Sequence, residues 1–378
     1  MKTENDNKNL NVPNLRFPEF DGEWSFGKLK DIAILSKGSG ISKDQLSDYG
    51  KPCILYGELY TKYKSEIIKE VVSKTNIDNS GLVQSKANDV IIPCSGEAAI
   101  EIATARCVQM DNILLGGDLN VIRLKGHDGG YFAYQLNGKR KIDIAKVAQG
   151  VSVVHLYGEH LKRVKVAYPS LREQQKISSF LSLLDERIST QIKIIEKLES
   201  LIKGLCQKLT QQGNPNTTLN SCLECYSSTL QESSVLEVGN YPVYGATGIC
   251  GYTETPEVEG DSILIIKDGA SVGVTYYVSG KYSAIGTLNR LVAKNAYSLR
   301  YLYYCLKVFN FAPYRTGLAI PHIYFRDYGK TQIYCPPIEE QSRIAKALEK
   351  VEQKIATEKS LLEHLYSQKR FLLHAMFI

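Results

Sequence analysis

The sequence predicts an α+β protein: two tandem copies of one mixed α/β domain, each followed by a long helix. Three observations carry this prediction. The chain repeats itself without a gap over one stretch, an apolar heptad series follows each copy, and strand-like runs bounded by Gly, Asn and Asp fill the space before each series. A chain of 378 residues has room for two or three domains, at roughly 100–200 residues per domain.

The repeat is clearest where GVSVVHLYGEHLKRVKVAYPSLREQQKI, from Gly150, meets GLAIPHIYFRDYGKTQIYCPPIEEQSRI, from Gly317. His155 matches His322, Tyr157 matches Tyr324, Pro169 matches Pro336, and Glu173-Gln174 matches Glu340-Gln341. Fainter echoes precede these in the same order. Leu119-Asn120 answers Leu288-Asn289, Tyr131 and Tyr134 answer Tyr301 and Tyr304, and Tyr56-Gly57 answers Tyr244-Gly245. Unequal shifts between the echoes mean loops of different length. Two copies of so long a period describe duplicated globular domains rather than a solenoid.

The helices follow from apolar spacing. Ile177, Leu181, Leu184, Ile188, Ile195 and Leu198 keep a 4-3 rhythm that only Gln191 interrupts. Ile344, Leu348, Val351, Ile355, Leu362 and Leu365 do the same, with Glu358 in the slot of Gln191. Such a series describes a coiled-coil seam, and one polar seam residue fixes register at some cost in stability. Packing of each stripe on its own domain is the other reading. Pro169 and Pro336 precede the helices, where proline costs nothing, and Gly213-Asn214-Pro215-Asn216 ends the first. Expected strands are Val90–Pro93, Leu119–Leu124, Val151–Leu156, Arg163–Ala167, Ser262–Lys267, Gly273–Val278, Leu288–Val292 and Thr331–Tyr334. Short helices are expected over Gly130–Asn137 and Leu299–Phe309. The predicted division is a disordered tail over 1–14, a first domain over 15–168, a helix over 169–211, a second domain over 212–335 and a second helix over 336–378.

Composition excludes several classes. Hydrophobic residues make up 43 %, so the chain can fill real cores. A net charge of +6 permits a polyanionic partner without requiring one. The polar start and the absence of long apolar runs predict a soluble, cytoplasmic protein with no membrane association. Nine scattered cysteines suit reduced thiols. The one CxxC, Cys222 and Cys225, has no second close pair to complete a zinc site. No phosphate-binding GxxxxGK[ST] loop and no HExxH occur, and Asn214-Pro215 lacks the second proline and aromatic of an adenine methylase motif. The sequence therefore predicts no catalytic residues, no metal and no cofactor.

Domain, helix, domain, helix, with PSLREQQKI and PPIEEQSRI opening the helices, resembles the specificity (S) subunit of type I restriction-modification enzymes. LRFPEF…W…LKDIA over residues 15–33, DVIIPCSGE over 89–97 and NYPVYGATGICGY over 240–252 look like family signatures. The resemblance implies that each domain is a target-recognition domain reading one half of a split, asymmetric site on double-stranded DNA. It implies that the two helices pair antiparallel as a spacer, that two methyltransferase subunits dock on them, and that restriction (translocase) subunits join outside. A self-contained methyltransferase or nuclease, and a coiled-coil interaction protein that binds no DNA, are the alternatives. Phosphates attract Lys and Arg, and base edges attract polar side chains. The DNA-contact candidates in the first half are Lys37, Ser39, Tyr56, Tyr60, Lys62, Lys64 and Ser95, with the basic run Lys139, Arg140 and Lys141. Those in the second half are Tyr244, Lys267, Ser271, Arg290 and Arg315. The basic run is equally compatible with a solvated face. Ser95-Gly96-Glu97 becomes Lys267-Asp268-Gly269-Ala270, so contacts do not carry over between halves.

Overall fold

The computed structural model describes residues 11–78, 80–150 and 152–378. It divides into two compact units: residues 1–192 with 361–378, and residues 193–360. Most of the expected tail, residues 1–10, lies outside the described residues. Asn11 already accepts a 2.9 Å bond from the Trp24 N–H.

The first unit is built on a five-stranded sheet in the order Ala33–Lys37, Leu119–Leu124, Asp89–Pro93, Arg106–Val108 and Ile67–Ile68. All its pairings are antiparallel except the last, which is parallel. Asp89–Pro93 is buried along its length because it is covered on both faces. A second sheet orders Leu114–Leu115, Lys51–Ile54, Ser73–Thr75 and Leu46–Ser47. Ser25–Lys28 pairs antiparallel with Lys165–Tyr168 and so closes the domain from its two ends. The helix Gly129–Asn137 starts where the Asp128 carboxylate accepts from the Tyr131 N–H at 2.7 Å, satisfying an otherwise orphaned donor.

The second unit repeats this plan. Its main sheet orders Leu223–Ser227, Leu288–Ala293, Ser262–Ile266 and Thr275–Val278. Its second sheet orders Gly248–Thr253, Tyr241–Gly245, Lys281–Ala284 and Val258–Glu259. Thr217–Thr218 and Gln332–Ile333 close it, and Ser298 caps Leu299–Lys307 as Asp128 caps its counterpart. One sequence echo is displaced. Tyr244 pairs with Ala284 as Ile54 pairs with Leu115, both in parallel register. Tyr244 therefore stands at the position of Ile54, two residues before Tyr56. A slip of two preserves the side-chain face of a strand, so sequence similarity tolerates it. Of the expected strand Val151–Leu156, only Val154–His155 is a strand; Val151 lies outside the described residues.

Two long helices, Leu171–Thr210 and Ile338–Ala375, follow the domains. Within the first unit, Ile177, Leu181, Leu184 and Ile188 share one core with Leu365, Leu372 and the domain's Tyr131, Phe132 and Tyr134. Within the second, Ile202 and Cys206 share a core with Ile344, Leu348, Ile355, Tyr301 and Tyr304. Ile195, Gln191 and Glu358 are buried too, while Leu198, Val351 and Leu362 are half-buried. Within the second unit Glu199 pairs with Lys359 at 2.6 Å and Gln212 bonds Glu340 at 3.4 Å, so the two helices run antiparallel there. Each stripe thus serves both as a helix–helix seam and as part of a domain core. No helix among the described residues is long and apolar enough to cross a membrane.

Candidate nucleic-acid interface

The duplicated residues form the frame beneath the exposed chemistry. Gln174 donates from Nε2 to the Pro169 carbonyl at 2.8 Å and accepts on Oε1 from the Asp128 N–H at 3.0 Å. Gln341 makes the same two bonds, to Pro336 at 2.8 Å and from Ser298 at 2.9 Å. Both glutamines are buried, so each locks the start of a long helix to the start of its domain's short helix. Two tyrosines, one helical turn apart, extend the lock. Tyr131 and Tyr301 donate to the carbonyls of Ala167 and Tyr334, each at 2.8 Å. Tyr134 and Tyr304 donate to the carboxylates of Asp185 and Glu352 on the long helices, also at 2.8 Å. Around Asp185 the burial is deep: it pushes the Glu66 carboxyl up, against the pull of Lys369. Gln174 and Gln341 are visible in the sequence as part of a repeat, but only the fold brings near the backbone groups that they bond.

In the first unit three of the DNA-contact candidates face one cleft of about 1150 Å³. Lys37, Tyr56 and Lys62 line it, together with Ser42, Lys43, Gln45 and Asp118. Lys37 is exposed and only loosely paired with Asp118, at 3.8 Å. Lys62 is held by the buried Glu58 at 2.7 Å and by Ser73 at 2.6 Å, so much of its charge is spent inside the protein. Ser39 accepts from the Val83 N–H at 2.6 Å and pins a loop. Tyr60 lies beside Gly96 of the strand Ser95–Gly96; burial, reinforced by Tyr56 and nearby carboxylates, pushes its hydroxyl up to about 12. Lys64 reaches back to the Tyr60 carbonyl at 3.4 Å. Ser95 pairs with His155 across a short antiparallel ladder. Lys43 and Gln45 were not singled out, although Ser42 to Gln45 is a capping-box pattern in the sequence, and the Ser42 N–H bonds the Gln45 side chain at 2.8 Å.

The basic run lies elsewhere. Arg140 bonds Asp143 at 3.3 Å and the Ile378 carbonyl at 3.0 Å. Burial and Arg106 both lower the Lys141 ammonium, and Lys139 is half-buried. Of the three, Arg140 is bonded within its own unit.

In the second unit Lys267, Ser271 and Arg315 gather at one sheet end. Arg315 donates to the Val272 carbonyl at 3.1 Å, and the Lys267 carbonyl accepts from the Ile323 N–H at 2.9 Å. Tyr244 and Arg290 are not part of this group. Tyr244 packs edge-on against Tyr282 at 5.7 Å. Arg290 lies over the exposed Tyr226 ring at 4.4 Å. The CxxC is split: the Cys222 sulfur faces Cys335 at 4.0 Å, while Cys225 lies on the adjoining strand.

The family described as the type I restriction modification DNA specificity domain matches residues 21–200 and 226–366. A putative type I restriction enzyme specificity subunit of Haemophilus influenzae is 31 % identical over 121 residues, 31 % of this chain and 31 % of that protein. A putative type I specificity subunit of Mycoplasma genitalium is 26 % identical over 196 residues, 47 % of this chain and 51 % of that one. The MjaVIII specificity subunit of Methanocaldococcus jannaschii is 31 % identical over 205 residues, 53 % and 44 % of the two chains. The matched stretches thus span between about a third and a half of these relatives. Two solved structures share the fold. The S subunit of the M. genitalium type I restriction-modification system superposes with a TM-score of 0.67 at 20 % identity, over 97 % of this chain and 99 % of that one. A chain from a structure of type I restriction-modification complex assembly gives 0.56 at 15 % identity, over 93 % and 96 %.

Proposed function

The chain belongs to the type I restriction modification DNA specificity family, and on that premise we propose that it reads a bipartite, asymmetric site on double-stranded DNA. Residues 15–168 read one half-site and residues 212–335 the other. The helices over 169–211 and 336–378 join the two readers and carry two methyltransferase subunits, with restriction subunits outside them. The chain supplies sequence selection, and its partners supply the chemistry. In the first reader, Lys37 and Lys43 approach phosphates while Tyr56, Gln45 and Ser95 face base edges. In the second, Lys267, Ser271 and Arg315 take those roles.

The observation that carries this reading is one frame beneath two different surfaces. Gln174 and Gln341 make the same pair of bonds, as do Tyr134 and Tyr304. Above that frame, Ser95 pairs with His155 where Asp268 pairs with His322. A conserved frame with divergent exposed chemistry suits two readers of unlike sequences. The test is exchange of residues 15–168 for another domain of the family, followed by sequencing of the DNA that the assembled complex methylates. One half-site should change and the other persist. A simultaneous change in both would refute two independent readers.

A further inference from the structure

Each domain holds one short loop with an apolar tip away from the protein. In the second unit, Thr316 and His322 exchange both backbone bonds, at 2.9 and 2.7 Å, and close residues 317–321 into a tight loop. Gly317 takes a φ of +86°, and a Cβ there would lie 2.3 Å from the Ile320 carbonyl oxygen, so this return needs glycine. The Gly269 N–H bonds the Pro321 carbonyl at 2.9 Å, and Nδ1 of His322 donates to Asp268 at 2.7 Å. On this anchored base, Leu318 is 109 % exposed and Ile320 58 %. The first unit repeats the device. Gln149 and His155 exchange backbone bonds at 2.9 and 2.7 Å, and the Leu156 N–H bonds the Cys94 carbonyl at 2.7 Å. A Cβ on Gly150 would lie 2.0 Å from the Val153 oxygen, and Val153 is 53 % exposed.

A single exposed leucine is ordinary on a protein surface. A braced loop that presents apolar groups at the same place in both copies is not, because these side chains add nothing to either core. The surroundings narrow the occupant. Arg315 precedes the loop, Lys267 lies at its base, and Arg326 follows, stacked over the exposed Tyr324 ring at 4.8 Å. Asp268, at the base, is bonded to His322, and Arg326 pairs loosely with Asp327 at 3.8 Å. An apolar point flanked by cations fits a nucleic-acid groove, where bases lie between two rows of phosphates.

We propose that the 317–321 loop is an apolar wedge that enters a DNA groove and touches bases through Leu318 and Ile320, with Arg315 on the adjacent phosphates. The loop around Val153 does the same for the other half-site. This rests on the DNA-specificity reading. The test uses the full chain assembled with methyltransferase subunits, and a duplex selected by the wild-type complex from a random-sequence pool. Leu318→Ala should bind that duplex less tightly by on the order of tenfold or more, with an unchanged salt slope because no phosphate contact is lost. Leu318→Lys should also weaken binding, despite its added charge. Equal affinity for Leu318→Ala, or tighter and more salt-sensitive binding for Leu318→Lys, would place the tip outside the groove and overturn the wedge alone. Leu318 packs against nothing, so unchanged melting curves should accompany both variants. Failure of the wild-type complex to select any sequence would instead remove the specificity reading, and the wedge with it.

Discussion

Replacing Gln341 by Leu tests the frame on which the second reader sits. The side chain is 2 % exposed and makes two bonds, donating to the Pro336 carbonyl and accepting from the Ser298 N–H. Leucine fills a similar volume but leaves both backbone groups unpaired, the Pro336 carbonyl in the interior and the Ser298 N–H partly buried. Each such orphan costs about 1–3 kcal/mol. The two together come to about 2–6 kcal/mol, and a gain of about 1 kcal/mol from burying the new methyls leaves a loss of about 1–5 kcal/mol. That is a large share of the margin of an ordinary domain, roughly 5–15 kcal/mol. Urea unfolding of the full chain, followed by circular dichroism, measures it. The residue serves residues 193–360, so the transition of that unit should move to lower urea. Gln174→Leu should move the transition of the other unit by a similar amount. A shift below about 0.5 kcal/mol, which is the scatter of ordinary surface substitutions, would refute the reasoning for Gln341.

The parts of this fold legible in the sequence are those with local causes. The strand Leu119–Leu124 and the buried run at Asp89–Pro93 announce themselves by composition, and Gly129–Asn137 by periodicity and its capping Asp128. The heptad series was legible because Ile177 to Ile188 and Ile344 to Ile355 keep the helical repeat unaided. Closure of each domain by its ends was not, since Ser25–Lys28 finds Lys165–Tyr168 only through tertiary folding. Two-residue strands such as Ile67–Ile68 are too short to leave a pattern. The candidate site divides along the same line. Lys37, Tyr56 and Lys62 are near in sequence and meet in one cleft, whereas Arg290 and Arg315 diverge because strand register and loop path separate them. For Lys139, Arg140 and Lys141 charge alone does not decide between phosphate and internal partners. A cationic run can equally satisfy Asp143 and the Ile378 carbonyl.

Two further outcomes follow from the same geometry. Replacing both Lys37 and Lys43 by Ala should make the log–log salt slope of DNA binding shallower by about 2 units, at about 0.9 per phosphate contact. Lys139, Arg140 and Lys141 changed together should instead lower stability with little effect on slope, and an unmoved slope in the first variant would take the cleft out of the interface. The other outcome concerns the long helices. They pass from one compact unit to the other between Ile192 and Lys193 and between Ser360 and Leu361. Seven residues inserted at each point lengthen both helices by about 10.5 Å and leave each apolar stripe within about 20° of its original face. If helix length sets the distance between readers, the non-specific gap should grow by about 3 bp, taking 3.4 Å per base pair. Both half-site sequences should stay the same, because neither domain is touched. One residue inserted in a single helix turns its stripe by about 100°, exposing Ile and Leu positions that each unit now buries, and should abolish assembly. The methylated-site consensus of each variant complex decides the matter: full methylation with an unaltered gap in the seven-residue variant would show that the helices do not act as the ruler.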